Sequence, residues 1–211
     1  MIKELKYMII EYSDKDLDYI DDICKIIDSK SKEIVEFFEI DQLDNKVKVK
    51  LFSDIVEFRN FHNQVFNKEP KNWVCGFALD NSVYTLSLSE YKKCFSHENA
   101  TISDLIKLIL HEYTHAIHIM RNQKCEYQWL GDGLATYLSG QYEDANEIKC
   151  TYDELLNCCS YTNYKLMFKY VLNTYGKEYI LKLIDDGELL NKDSKRLFEE
   201  AVSFYKKEVL K

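Results

Sequence analysis

The stretch from Leu105 to Met120 limits what this chain can fold into more than any other. Leu105, Ile106, Leu108, Ile109 and Leu110 open it, and Ala116, Ile117, Ile119 and Met120 close it. A helix that is apolar nearly all round is a buried helix, so the rest of the chain has to wrap it. Yet its middle reads His111-Glu112-Tyr113-Thr114-His115, an H-E-x-x-H pattern. Imidazoles and a carboxylate are costly to bury unless something satisfies them. Residues four apart on a helix share a face, one turn from each other. Two histidines so placed can both reach one zinc ion at about 2.0–2.1 Å. Glu112 follows the first of them directly, so it can stand beside the metal without binding it. That is where a general base takes a proton from zinc-activated water.

The chain has 211 residues, 46% of them hydrophobic, and a single proline, which describes a well-packed globular protein. Its 28 basic and 36 acidic residues give a net charge of −8, and no basic stripe stands out. Nucleic acid is therefore not an expected partner. No run approaches the length of a membrane span, and the apolar run Tyr7–Ile10 is too short for the core of a signal peptide. The seven cysteines are odd in number and lack a C-x-x-C pair, with Cys158 and Cys159 adjacent. Free thiols in a reducing cytoplasm fit this better than a disulfide framework or thiolate zinc ligation.

Leu17, Ile20, Ile23, Ile27, Ile34 and Phe38 recur at helical spacing, which predicts a helix over 15–39. Val47, Val49 and Leu51 alternate with lysines as a half-buried strand does. Ile55, Phe58, Phe61, Val65 and Phe66 mark a second helix, broken at Pro70 and Asn72. Two strands, Trp73–Leu79 and Val83–Leu88, are expected to pair antiparallel about a turn at Asp80-Asn81. From Thr101 onwards the pattern is helical. Thr101 or Ser103 can cap the H-E-x-x-H helix, with Asp104 as a capping-box partner of Thr101. That helix should break near Asn122–Lys124. Further helices are expected over Asp132–Gln141, Tyr161–Thr174, 177–185 and 193–209, with Gly176 ending the second of these in a left-handed conformation. The expected class is α+β: one domain over 1–211, with a small, mostly antiparallel sheet and flanking helices in 1–100 and a helical lobe in 101–211.

A catalytic zinc site needs a third protein ligand and an open position. The segment Trp129-Leu130-Gly131-Asp132-Gly133-Leu134-Ala135-Thr136-Tyr137 resembles one in gluzincin metallopeptidases, in particular the peptidase-MA-like branch related to aminopeptidase N. There H-E-x-x-H is followed by a segment like W-L-x-E-G-x-A-x-Y, whose glutamate is the third zinc ligand. The resemblance implies that Asp132 takes this role. It also implies a zincin-like fold with a cleft between the two lobes. Aspartate is shorter by a methylene, so its carboxylate reaches about 1.3–1.5 Å less far. Gly131 and Gly133 could let the backbone approach the metal. Asp132 could instead be a helix N-cap, and Glu126 and Glu143 are fallback ligands.

The resemblance covers roughly residues 45–190. Tyr161 opens a helix that ends in Tyr175-Gly176, and so corresponds to the family's oxyanion-stabilising tyrosine, with Tyr164 as its competitor. The strand segments around Trp73–Ala78 and Val83–Leu88 resemble the family's sheet, whose edge strand lines the cleft and pairs with extended substrate. No counterpart of the G-x-M-E-N segment that holds a free N-terminus is present, so exopeptidase action is not implied. His118 cannot join the ligands, because it lies about 10 Å from His111 along one straight helix. It is expected beside the ligands or satisfied within the core. The implied activity is peptide-bond hydrolysis, with His111, His115 and Asp132 on Zn²⁺, Glu112 as base, and a peptide or protein as substrate. Two alternatives stand beside it: a non-catalytic zinc-binding scaffold, and a regulatory endopeptidase specific for one partner protein.

Overall fold

A computed structural model describes residues 1–122, 127–142, 145–157 and 160–209. The chain divides into two compact units, Met1–Ile117 and His118–Lys211. The class is α+β, with one five-stranded sheet and, among the described residues, nine α-helices.

The first unit is built on that sheet. Its strands β1 (Ile2–Glu4), β2 (Met8–Glu11), β3 (Val47–Phe52), β4 (Gly76–Leu79) and β5 (Ser82–Leu86) lie in the order β1-β2-β3-β5-β4. The outer pairs β1–β2 and β4–β5 are antiparallel, whereas β2–β3 and β3–β5 are parallel. The sheet is thus mixed, which corrects the expectation of a mostly antiparallel one. The cause is the crossovers. Helix α1 (Ile20–Phe37) returns the chain from β2 to a parallel β3, and α2 (Ile55–Phe66) starts the return from β3 that ends in β5. Strands β1 and β2 were not anticipated from the sequence. One face of the sheet carries Met8, Ile10, Val47, Val49 and Val83, all essentially fully buried, and forms this unit's core.

The opposite face carries Phe52, Phe77 and Tyr84, packed against Phe58 and Phe61 of α2 with ring centroids 4.7–6.4 Å apart. Helix α2 begins where its cap dictates, the Asp54 carboxylate accepting from the Val56 and Glu57 amides. The expected helix over 15–39 is shorter: Ser13 caps a 3-10 turn at Asp14–Asp16, and Leu17 is left exposed. The hairpin turn falls at Asp80-Asn81 as expected, with Asp80 at φ 49°. The second strand stops at Leu86, because Ser87 leads into the unforeseen helix α3 (Leu88–Tyr91).

Helix α4 (Ile102–Arg121) begins in the first unit. Thr101 rather than Ser103 caps it: the Thr101 amide and hydroxyl both donate to the Asp104 carboxylate, at 2.8 and 2.7 Å. The helix stops at Arg121, and Gln123 and Lys124 of the expected break lie outside the described residues.

The second unit is helical: α5 (Gln128–Ser139), α6 (Tyr152–Asn157), α7 (Tyr161–Tyr175), α8 (Lys177–Asp185) and α9 (Gly187–Val209). Helix α6 was not expected, and α9 starts earlier than residue 193. Trp129 is fully buried on α5, its indole N–H donating to the Ser194 hydroxyl of α9 at 2.9 Å. Gly176 has the expected positive φ of 82°, but its ψ of 171° is extended rather than left-handed helical. The left-handed cap is Gly140, which ends α5 at φ 69° and ψ 25°.

Candidate metal centre

The H-E-x-x-H residues sit in mid-helix, so their backbone groups are satisfied by α4 itself and their side chains are held in fixed relation. Thr114 keeps its hydroxyl inside the helix, donating to the Leu110 carbonyl at 2.7 Å. Tyr113, Ala116 and Ile117 are fully buried, which anchors one side of the helix in apolar surroundings. His111 and Glu112 are buried, and His115 is partly so.

The Nε2 atoms of His111 and His115 lie 3.1 Å apart. Two nitrogens bound tetrahedrally to one zinc would stand about 3.3 Å apart, so the imidazoles already have the spacing of an edge of that polyhedron. His111, His115 and Asp132 form a group that could hold a metal ion, their ligand atoms all within 4.8 Å of one another. Two imidazoles and one carboxylate are a donor set that zinc accepts, and three protein ligands are the number of a catalytic site. Among the described residues, no other group of three His, Cys, Asp or Glu side chains could do so. Cys24, Cys75 and Cys94 are buried free thiols. The fallback ligands Glu126 and Glu143 lie outside the described residues, as do Cys125, Cys158 and Cys159.

Asp132 lies within α5, whose N-cap is Tyr127. The helix starts one turn before Asp132, which corrects the expectation of an N-cap there. What Gly133 provides is close approach to α7. A Cβ there would stand 2.5 Å from the Tyr164 carbonyl oxygen.

Tyr161 is the first residue of α7, capped by Ser160, and the helix ends at Tyr175 before Gly176. Its ring stacks on Tyr142, with centroids 5.6 Å apart and planes at 11°. Tyr164 is buried and its hydroxyl donates to the Gln128 side chain at 3.1 Å. The two candidates thus differ: Tyr164 is engaged within the helical unit, while Tyr161 is partly exposed. His118 is buried.

Sequence reasoning missed the surroundings of Glu112. A Cβ on Gly76, the first residue of β4, would meet the Glu112 side chain. The preceding Cys75 is buried, and its thiol donates to the Trp73 carbonyl at 3.3 Å. Hydrogen bonding to Cys94, then burial, pushes the Cys75 thiol far above its ordinary range, while the same bond lowers that of Cys94. A glycine opening a strand was the available signal, but only its three-dimensional neighbour gives it meaning.

No family profile matches the chain, and no solved structure does. Among curated proteins, the chain is similar to the sensor histidine kinase CitA of Klebsiella pneumoniae. The identity is 22% over an alignment of 230 positions, which takes in 86% of this chain and 42% of the kinase. The chain thus spans less than half the length of that relative, and identity this low assigns neither a family nor an activity.

Proposed function

We propose that this chain is a zinc-dependent peptidase of the gluzincin kind, with a zincin-like fold and a peptide or protein as substrate. The observation that carries the reading is the convergence of His111, His115 and Asp132 as a metal-holding group, with Glu112 next to the first ligand on the same helix. His111, His115 and Asp132 would hold the ion. Bound Zn²⁺ would supply polarisation of the scissile carbonyl and acidification of a water. Glu112 would accept a proton from the attacking water and pass it to the leaving amine. Tyr161 would donate its hydroxyl to the oxygen on which negative charge develops. The free thiols of Cys24, Cys75 and Cys94 suit a reducing cytoplasm. Among the described residues, no helix is long and apolar enough to cross a membrane.

A second reading, a zinc-binding scaffold without catalysis, is favoured by one feature. The third ligand is aspartate, a methylene shorter than the glutamate of the resembled segment. One experiment separates the two: zinc content by elemental analysis and hydrolysis of a mixed peptide library, for the native chain and Glu112→Gln. A peptidase loses at least about 100-fold in rate in Glu112→Gln and keeps its zinc. Zinc in both proteins with hydrolysis in neither establishes the scaffold, and full activity in Glu112→Gln removes the role given to Glu112.

A further inference from the structure

We infer that Gly76 is a positioning residue for Glu112, a role that rests on the reading of Glu112 as the base beside a metal. Strand β4 alternates, with Phe77 turned to the aromatic cluster of α2 and Gly76 turned to α4. A Cβ on Gly76 would meet Glu112 Cγ at 3.1 Å, Leu108 Cδ1 at 3.3 Å and Glu112 Oε1 at 3.4 Å. Two of the three nearest atoms thus belong to Glu112, one of them a carboxylate oxygen.

Backbone conformation does not call for glycine here. Gly140 and Gly176 have positive φ, and Gly76 does not. Nor can the strand easily retreat. The Cys75 carbonyl accepts from the Leu86 amide and from the Thr85 hydroxyl, each at 3.1 Å, and Gly76 is in register with Thr85, which is fully buried. A side chain at residue 76 therefore moves Glu112 rather than β4. The glycine leaves room for the Glu112 side chain, whose Cγ and Oε1 both come within 3.4 Å of where a Cβ would stand. The Glu112 side chain must give by a few tenths of an ångström; since about 1 Å costs about 100-fold in a positioned reaction, the effect expected here is about tenfold.

The test is a double-mutant cycle read by binding, with acetohydroxamic acid as the probe on zinc-loaded protein. This acid chelates zinc as its anion and passes its O–H proton to a neighbouring carboxylate, so its affinity reports where that carboxylate stands. Calorimetry would compare the native chain, Gly76→Ala, Glu112→Ala and the double variant, each checked for zinc content. Gly76→Ala is expected to keep its zinc and to weaken the hydroxamate about tenfold. On the Glu112→Ala background the same change should weaken it no further, since the group it displaces is gone. Additive losses would mean that the glycine serves packing against Leu108, and native affinity in Gly76→Ala would mean that the room it leaves is unimportant; either overturns the inference. Hydroxamate binding with this non-additive pattern but no peptide hydrolysis by the native chain defeats only the peptidase reading. A native chain that holds no zinc defeats both.

Discussion

Gly133 shows how much one missing methyl group can determine. Its absent Cβ would lie 2.5 Å from the Tyr164 carbonyl oxygen and 2.9 Å from Phe168 Cβ, so α5 and α7 meet backbone to backbone. Helix propensity alone favours alanine at such a position by about 1 kcal/mol. Overpacking costs about 1–3 kcal/mol, and its upper end applies where the obstructing atom is a main-chain oxygen. The second effect wins. Gly133→Ala should lower Tm by about 4–8 °C, and because Asp132 is the preceding residue it should also weaken zinc binding. An unchanged or raised Tm would mean that α7 yields without cost. The resembled W-L-x-E-G-x-A-x-Y segment sets this glycine apart from Gly131, but the helix it packs against is not legible in the sequence. By contrast, His111, Glu112 and His115 are legible without any structure, since four residues of spacing and one helix contain their whole relation.

At the scale of elements, what the sequence reveals is what local periodicity encodes. Helix α2 runs over 55–66 as its apolar spacing implies, and the β4–β5 hairpin turns at Asp80-Asn81. Strands β1 and β2 have three and four residues, too few for an alternation to register. The direction of pairing is likewise hidden. Val47, Val49 and Leu51 say which face is buried, but whether β3 runs with or against its neighbours depends on crossovers elsewhere in the chain. Side-chain networks between helices are not legible at all, and one of them makes a prediction. Arg196 of α9 bonds Asp193 and Glu200 at 2.9 Å each, while Tyr179 and Tyr175 donate to the same two carboxylates. These tyrosine hydrogen bonds, with Arg196, hold both carboxyls below the usual range. The folded state therefore binds their protons less readily than the unfolded chain. Their stabilisation is complete above the ordinary carboxyl range near pH 4 and is lost as pH falls through the depressed native values. Thermal melts between pH 7 and pH 2.5 should show a smaller acid loss for Asp193→Asn/Glu200→Gln than for the native chain. Identical slopes would show that the network contributes nothing.

For the molecule as a whole, the question is whether a metal is part of the folded state. A ligand that binds only the folded chain stabilises it by about 2.7 kcal/mol at a hundredfold excess over Kd, which for a chain of this size is about 5–10 °C in Tm. The native fold should exist without zinc, because each unit has its own apolar core: Met8, Ile10, Val49 and Val83 in the first, Trp129, Leu134, Phe168 and Leu183 in the second. This separates it from small domains that fold only around their metal. Zinc should accordingly raise Tm from an already cooperative baseline, and a chelator should return it to that baseline. His111→Ala should abolish the zinc-dependent rise. Its Tm in chelator should fall by no more than about 1–2 kcal/mol of stability implies, since the lost imidazole is a polar group in mid-helix rather than core packing. Calcium and magnesium, which prefer all-oxygen ligands, should give no comparable rise with two imidazoles in the donor set. If zinc leaves the native Tm unchanged, the convergence of His111, His115 and Asp132 is a packing arrangement and not a metal centre.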